Sequence, residues 1–138
     1  NNEAFGDHWG SEPRDQEAWG FMVRHPHSRP DWSTLAVKKT SGEVVGYQLA
    51  SYDPALRAAK GREEGYTELL GVRRSWRGRR IAAALLADAM RRFREAGMEY
   101  ASLDVDTENP SGALGIYERM GYTPTHRSMA WDCRLPID

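Results

Sequence analysis

The period of the apolar positions changes once near the middle of the chain, and the rest of the sequence arranges itself around that change. Tyr66 to Val72, Tyr-Thr-Glu-Leu-Leu-Gly-Val, is short and contains aromatic and β-branched residues, which predicts a buried strand. From Ile81 the apolar residues recur at three and four along Ile81, Leu85, Ala89 and Ala82, Leu86, Met90, Phe93, the period of a helix with one buried face. Gly97 is placed to end that helix, and Tyr100 to Val105 reads as the next strand. A strand reached through a helix lies parallel to its predecessor by a right-handed crossover.

On either side the pattern is more broken. Phe5 and Trp9 stand four apart, as on one short helix face stopped at Gly10, and Ala18, Trp19, Met22 and Val23 give the apolar side of a second helix that ends at His25-Pro26. Leu35 to Lys39 and Glu43 to Tyr52 read as strands joined at Thr40-Ser41-Gly42, an antiparallel hairpin. From Asp53-Pro54 to Glu64 the periodicity is lost and a long loop is predicted, a candidate for substrate contact. Asn109 and Pro110 suit the N-cap and first position of a last helix closed by Gly121, and Tyr122 to Cys133 reads as a final β segment. Helix, helix, strand, strand, strand, helix, strand, helix, strand is an α/β chain of mixed α+β type.

Composition narrows the class. The 138 residues fit one domain, residues 1–138, and 40% hydrophobic with 28% charged residues is a globular balance. The net charge of −1 disfavours a nucleic-acid binder. The single cysteine, Cys133, makes no internal disulfide and no metal-ligand spacing, which suits a reducing, cytoplasmic setting. No run of about 18 apolar residues suggests a membrane span. The four histidines stand at no metal spacing, so no metal is assigned.

Against that nearly neutral total, Arg73, Arg74, Arg77, Arg79 and Arg80 crowd into eight residues between the central strand and its helix. The N-terminus of a helix offers unpaired N–H groups and the positive end of the macrodipole, so cations there are unfavourable unless an anion joins them. The arrangement asks for a phosphate-bearing ligand. A solvated arginine face is the competing reading.

The block Arg77-Gly78-Arg79-Arg80-Ile81-Ala82 resembles the acyl-CoA-binding loop of the GNAT family of N-acetyltransferases, Gln/Arg-x-x-Gly-x-Gly/Ala, with Arg77 at its first position and Ala82 at its last. Arg80 stands where the family has glycine. It either holds a backbone geometry that needs no glycine or swings its side chain outward. The segment Asn109 to Tyr122 resembles the family's Asn-x-x-Ala-x-x-Leu-Tyr-x-x-x-Gly-Phe, with one extra residue before Ala113. The resemblance implies a GNAT fold, a central twisted mixed sheet with helices on both faces. The family's first strand is absent, so the chain reads as trimmed or as part of a longer protein. The opening Asn1 to Gly10 resembles the C-terminal module of tandem actinobacterial acetyltransferases related to mycothiol synthase.

By this resemblance the chain transfers an acetyl group from acetyl-CoA to a primary amine of a small molecule or peptide, through a tetrahedral intermediate. The pyrophosphate meets Arg77, Gly78, Arg79, Arg80, Ile81 and Ala82; the pantetheine arm lies along Leu70 and Val72, with the Leu70 N–H as oxyanion donor; Asn109 is a further coenzyme contact. Tyr117 is the general acid for the leaving thiolate. Glu68 is the first choice of base, and Asp104 with Asp106 on the neighbouring strand is a second candidate pair. The competing readings are an inactive acyl-CoA-binding or structural module, a solvent-facing Glu68, and a core Tyr117. A second GNAT domain or a homodimer is the implied protein partner, with neither nucleic acid nor membrane.

Overall fold

The computed structural model describes residues 16–106 and 113–137. The central strand, β3 (Glu64–Val72), pairs antiparallel with β2 (Val44–Ser51), which pairs antiparallel with β1 (Thr34–Val37). On its other side β3 pairs parallel with β4 (Tyr100–Leu103), giving the order β1-β2-β3-β4. The expected hairpin and parallel crossover are both present.

The crossover is α3 (Ile81–Glu95), whose Leu85, Leu86, Ala89 and Phe93 are buried on one face of the sheet. Phe93 fills the space above Gly65 so fully that a Cβ there would stand 2.3 Å from its ring. Trp32 and Ala50 close the same cluster, with the Trp32 ring 5.5 Å from that of Phe93. Burying the Phe93 side chain stabilises the fold by about 2–3 kcal/mol. The opposite face is covered in part by α1 (Gln16–Val23), whose Trp19 meets Tyr47 edge-on. Helices therefore stand on both faces.

Two features differ from the sequence reading. The segment taken as a loop after Asp53 contains α2 (Pro54–Lys60), capped by Asp53 Oδ1 accepting from the Ala55 N–H, begun by Pro54 and ended by Gly61 in the left-handed conformation at φ 70°. These are ordinary helix start and stop signals; seven residues are too few for an apolar period to show. The final β segment is not formed: residues 123–137 carry no strand and lie exposed, with Trp131 and Met129 among the most accessible large side chains. Alternating side chains supply a face but not a backbone partner, and a strand needs both. The last helix, α4 (Ala113–Arg119), ends at Gly121 as expected, while Asn109, Pro110 and the helix placed in the first ten residues fall outside the described residues.

Candidate functional site

The site is organised by an irregularity in β3. Leu49 pairs with Leu69 but Ala50 pairs with Thr67, so Glu68 is the extra residue of a β-bulge. The bulge leaves the Glu68 side chain on the face away from α3, where it accepts a hydrogen bond from the Ser51 hydroxyl at 3.1 Å.

On that face a cavity of about 510 Å³ opens between the end of α1, the His25 to Ser28 segment, α2, strands β2 and β3, and Asp104 just after β4. Its apolar wall is Met22, Leu49 and Leu56; its polar wall is Asp53, Glu64, Tyr66, Glu68 and Asp104, with Lys60, His25 and His27 at the side. Glu64 is buried, and burial alone would raise its pKa. Contacts from Lys60, Arg62 and Ser102 outweigh this and hold it below the usual carboxylate range. His27 Nε2 stands 3.7 Å from Asp53. Tyr66 donates to Asp104 at 2.9 Å, and burial, then the Asp104 contact, then the nearby Glu68 charge push the phenol far above its ordinary pKa. Glu68 and Asp104 therefore flank one phenol. Asp106 does not line the cavity.

The backbone of β3 changes partner along its length. Arg73 N–H donates to the Val45 carbonyl, so by antiparallel alternation Tyr47 with Gly71 and Leu49 with Leu69 are hydrogen-bonded pairs. Leu70, opposite Gln48, and Val72, opposite Gly46, then turn their N–H and C=O away from β2. β4 accompanies β3 only to the pair Thr67–Leu103, so it does not pair with either residue. The Val72 carbonyl accepts from Arg77 Nε at 3.3 Å.

At the far end of β3 a short turn, Arg74–Trp76, leads to the start of α3. Gly78 lies at φ 77°, and Arg80, the residue before the helix, lies at φ 62° with an exposed side chain and no side-chain cap over the first turn. Arg80 thus takes the left-handed conformation that glycine adopts without cost, at about 1–2 kcal/mol for a residue with a Cβ, and turns its side chain outward. Uncapped N–H groups at the start of a 15-residue helix beside Arg77 and Arg79 fit an anion such as a pyrophosphate. The arginines are not equivalent. Arg73 bonds Glu43, and Arg79 lies over the Trp76 ring at 4.5 Å from its centroid.

Tyr117 on α4 is half-buried beside Tyr122, their rings 6.0 Å apart, and desolvation raises its pKa; Tyr122 is pushed up to about 12 by desolvation and then by the Tyr117 charge. Tyr117 does not line the cavity. Asp53, Lys60 and Glu64 fall in the Asp53 to Glu64 segment expected to contact substrate, though none was singled out there, and Ser51 was missed. Only the Asp53-Pro54 cap, which announces α2, could have drawn attention to any of them. Among the described residues no cluster of His, Cys, Asp and Glu could hold a metal ion, and no helix is long and apolar enough to cross a membrane.

Residues 1–122 match the model of the acetyltransferase (GNAT) family. Solved structures agree in fold. An acetyltransferase from Trypanosoma brucei is 23% identical, with 95% of this chain and 89% of that one covered and a TM-score of 0.69. A GCN5-related N-acetyltransferase from Sphaerobacter thermophilus is 34% identical over 87% of this chain, with a TM-score of 0.69, and this chain spans 34% of its length. A chain of the NatC complex, solved bound to Gag peptide and CoA, is 27% identical over 92% of this chain and 81% of its own, with a TM-score of 0.70.

Proposed function

The chain belongs to the GNAT acetyltransferase family, and from that premise we propose that it transfers an acetyl group from acetyl-CoA to a primary amine bound in the cavity beside Glu68. Acetyl-CoA fits the residues present: the uncapped start of α3 with Arg77 to Ala82 for its phosphates, and the outward-turned backbone of Leu70 and Val72 for its arm. When bound, it supplies the thioester whose carbonyl carbon is attacked.

The single observation that carries the reading is the bulge at Glu68. It puts a carboxylate into the cavity two residues before Leu70, whose N–H points out of the β2–β3 ladder. In the proposed reaction Glu68 takes a proton from the acceptor ammonium, directly or through one water, and frees the nitrogen lone pair. The new N–C bond forms as the carbonyl π pair moves to oxygen, where the Leu70 N–H stabilises the oxyanion. When that pair returns, the C–S bond breaks and the thiolate takes a proton from Tyr117; the nitrogen, which still carries one proton more than an amide, gives it up through water to the Tyr117 phenolate, and Glu68 releases its proton to solvent. The raised pKa of Tyr117 keeps the free enzyme's phenol protonated throughout the neutral range. The amide and the free thiol leave. No covalent enzyme intermediate is required.

Asn109 remains a coenzyme contact in this proposal, and the reaction is assigned to the cytoplasm from the lone cysteine and the absence of an apolar span in the sequence. The test is titration of the purified chain with acetyl-CoA, followed by release of free thiol in the presence of simple amines. Micromolar binding with amine-dependent thiol release is expected; binding without release for any amine would favour the acyl-CoA-binding module.

A further inference from the structure

We propose that the acceptor is a linear diamine or polyamine, its reacting nitrogen at Glu68 and a second ammonium at Asp104. This rests on the acetyl-transfer reading above and specifies its substrate.

The cavity's charge inventory leads there. Glu64 is matched by Lys60 and Arg62, and Asp53 caps α2 and faces His27. Glu68 and Asp104 are each held by a neutral hydroxyl, of Ser51 and of Tyr66, and among the described residues neither pairs with a cation. Two carboxylates flanking one phenol repel each other, and the cheapest relief is positive charge brought in by the ligand.

A single ammonium meets this need poorly, because it must lose its proton to react. A carboxylate that binds it as a cation also resists its deprotonation. A second, non-reacting ammonium removes the conflict: it stays charged at Asp104 through the reaction, while the first gives its proton to Glu68. The apolar wall of Met22, Leu49 and Leu56 suits the methylene chain that separates the two nitrogens. A volume of about 510 Å³ leaves room for such a chain.

The experiment compares 1,4-diaminobutane and spermidine with 1-aminobutane as acceptors for the purified chain saturated with acetyl-CoA, and measures the binding of each by calorimetry. The diamines are expected to have kcat/KM about tenfold or more above the monoamine, the size of one charge-assisted contact, mainly through KM. Raising the salt should raise KM for the diamines more than for the monoamine. Asp104→Asn should abolish the advantage through KM rather than kcat, with acetyl-CoA affinity as the check on folding. Equal kcat/KM for diamine and monoamine, or an advantage that survives Asp104→Asn, would overturn the inference. If no amine is acetylated, diamine binding that exceeds monoamine binding and depends on Asp104 still supports the cation site while the transfer reading fails. Equal or absent binding overturns the site as well.

Discussion

The two ends of β3 carry opposite charge and use it differently. At its C-terminal end, Arg73 is turned to Glu43, Arg77 to the Val72 carbonyl and Arg79 onto the Trp76 ring. Toward its N-terminal end the buried Glu64 is saturated by two cations and a hydroxyl, whereas Glu68 and Asp104, which both line the cavity, have hydroxyl partners alone among the described residues. A run of like charges in a sequence therefore says little about how much charge a ligand will meet. What counts is how many of those groups the fold has already supplied with partners.

The difference can be tested by removing groups from each end in turn. Glu68→Gln should lower kcat by about a hundredfold or more while leaving the acetyl-CoA dissociation constant unchanged, because it removes the proton acceptor and nothing from the phosphate turn. A loss of coenzyme affinity instead would merge the two regions into one site. Tyr117→Phe should lower kcat by about tenfold or more with little change in coenzyme affinity, read in steady-state assays; full activity would remove the phenol as the acid. At the other end, Arg79→Ala should weaken acetyl-CoA several-fold, about 1 kcal/mol, with the loss largest at low salt in calorimetric titrations.

The smallest effect concerns a carboxylate that is fully engaged and far from the reaction. Asp88 accepts from the Thr34 hydroxyl, then from Arg92 and Arg91, which hold it well below the usual carboxylate range. A depressed carboxylate contributes stability above its unfolded pKa of about 4 and loses it as the pH falls toward the folded value. Asp88→Asn should cost about 1 kcal/mol in thermal or denaturant unfolding at neutral pH, without changing turnover, and the gap from the parent should close progressively below about pH 4.

Much of this arrangement was readable from particular residues. The change of period between Val72 and Ile81 gave the central strand and its helix, and Gly97 gave the helix end, because side chains that share one buried face repeat with the period of their element. Glu68 was readable as a base candidate, but its face was not, since one extra residue in β3 reverses the alternation and only the pairing with β2 shows where it lies. The helix α2 was spelled out by Asp53, Pro54 and Gly61 but hidden by its length. The tail from Tyr122 shows the opposite failure, a clear alternation in a segment that pairs with nothing described.

The sequence by itself determined the family, the order of the main elements, the basic turn and the residue types available for proton transfer, because these depend on neighbours along the chain. Only the tertiary structure decided which charges remain open. Tyr66 meets Asp104 across 38 positions and Arg73 meets Glu43 across 30. Those pairings depend on sheet register and on the bulge at Glu68, and no local pattern in the sequence encodes the distance between two strands.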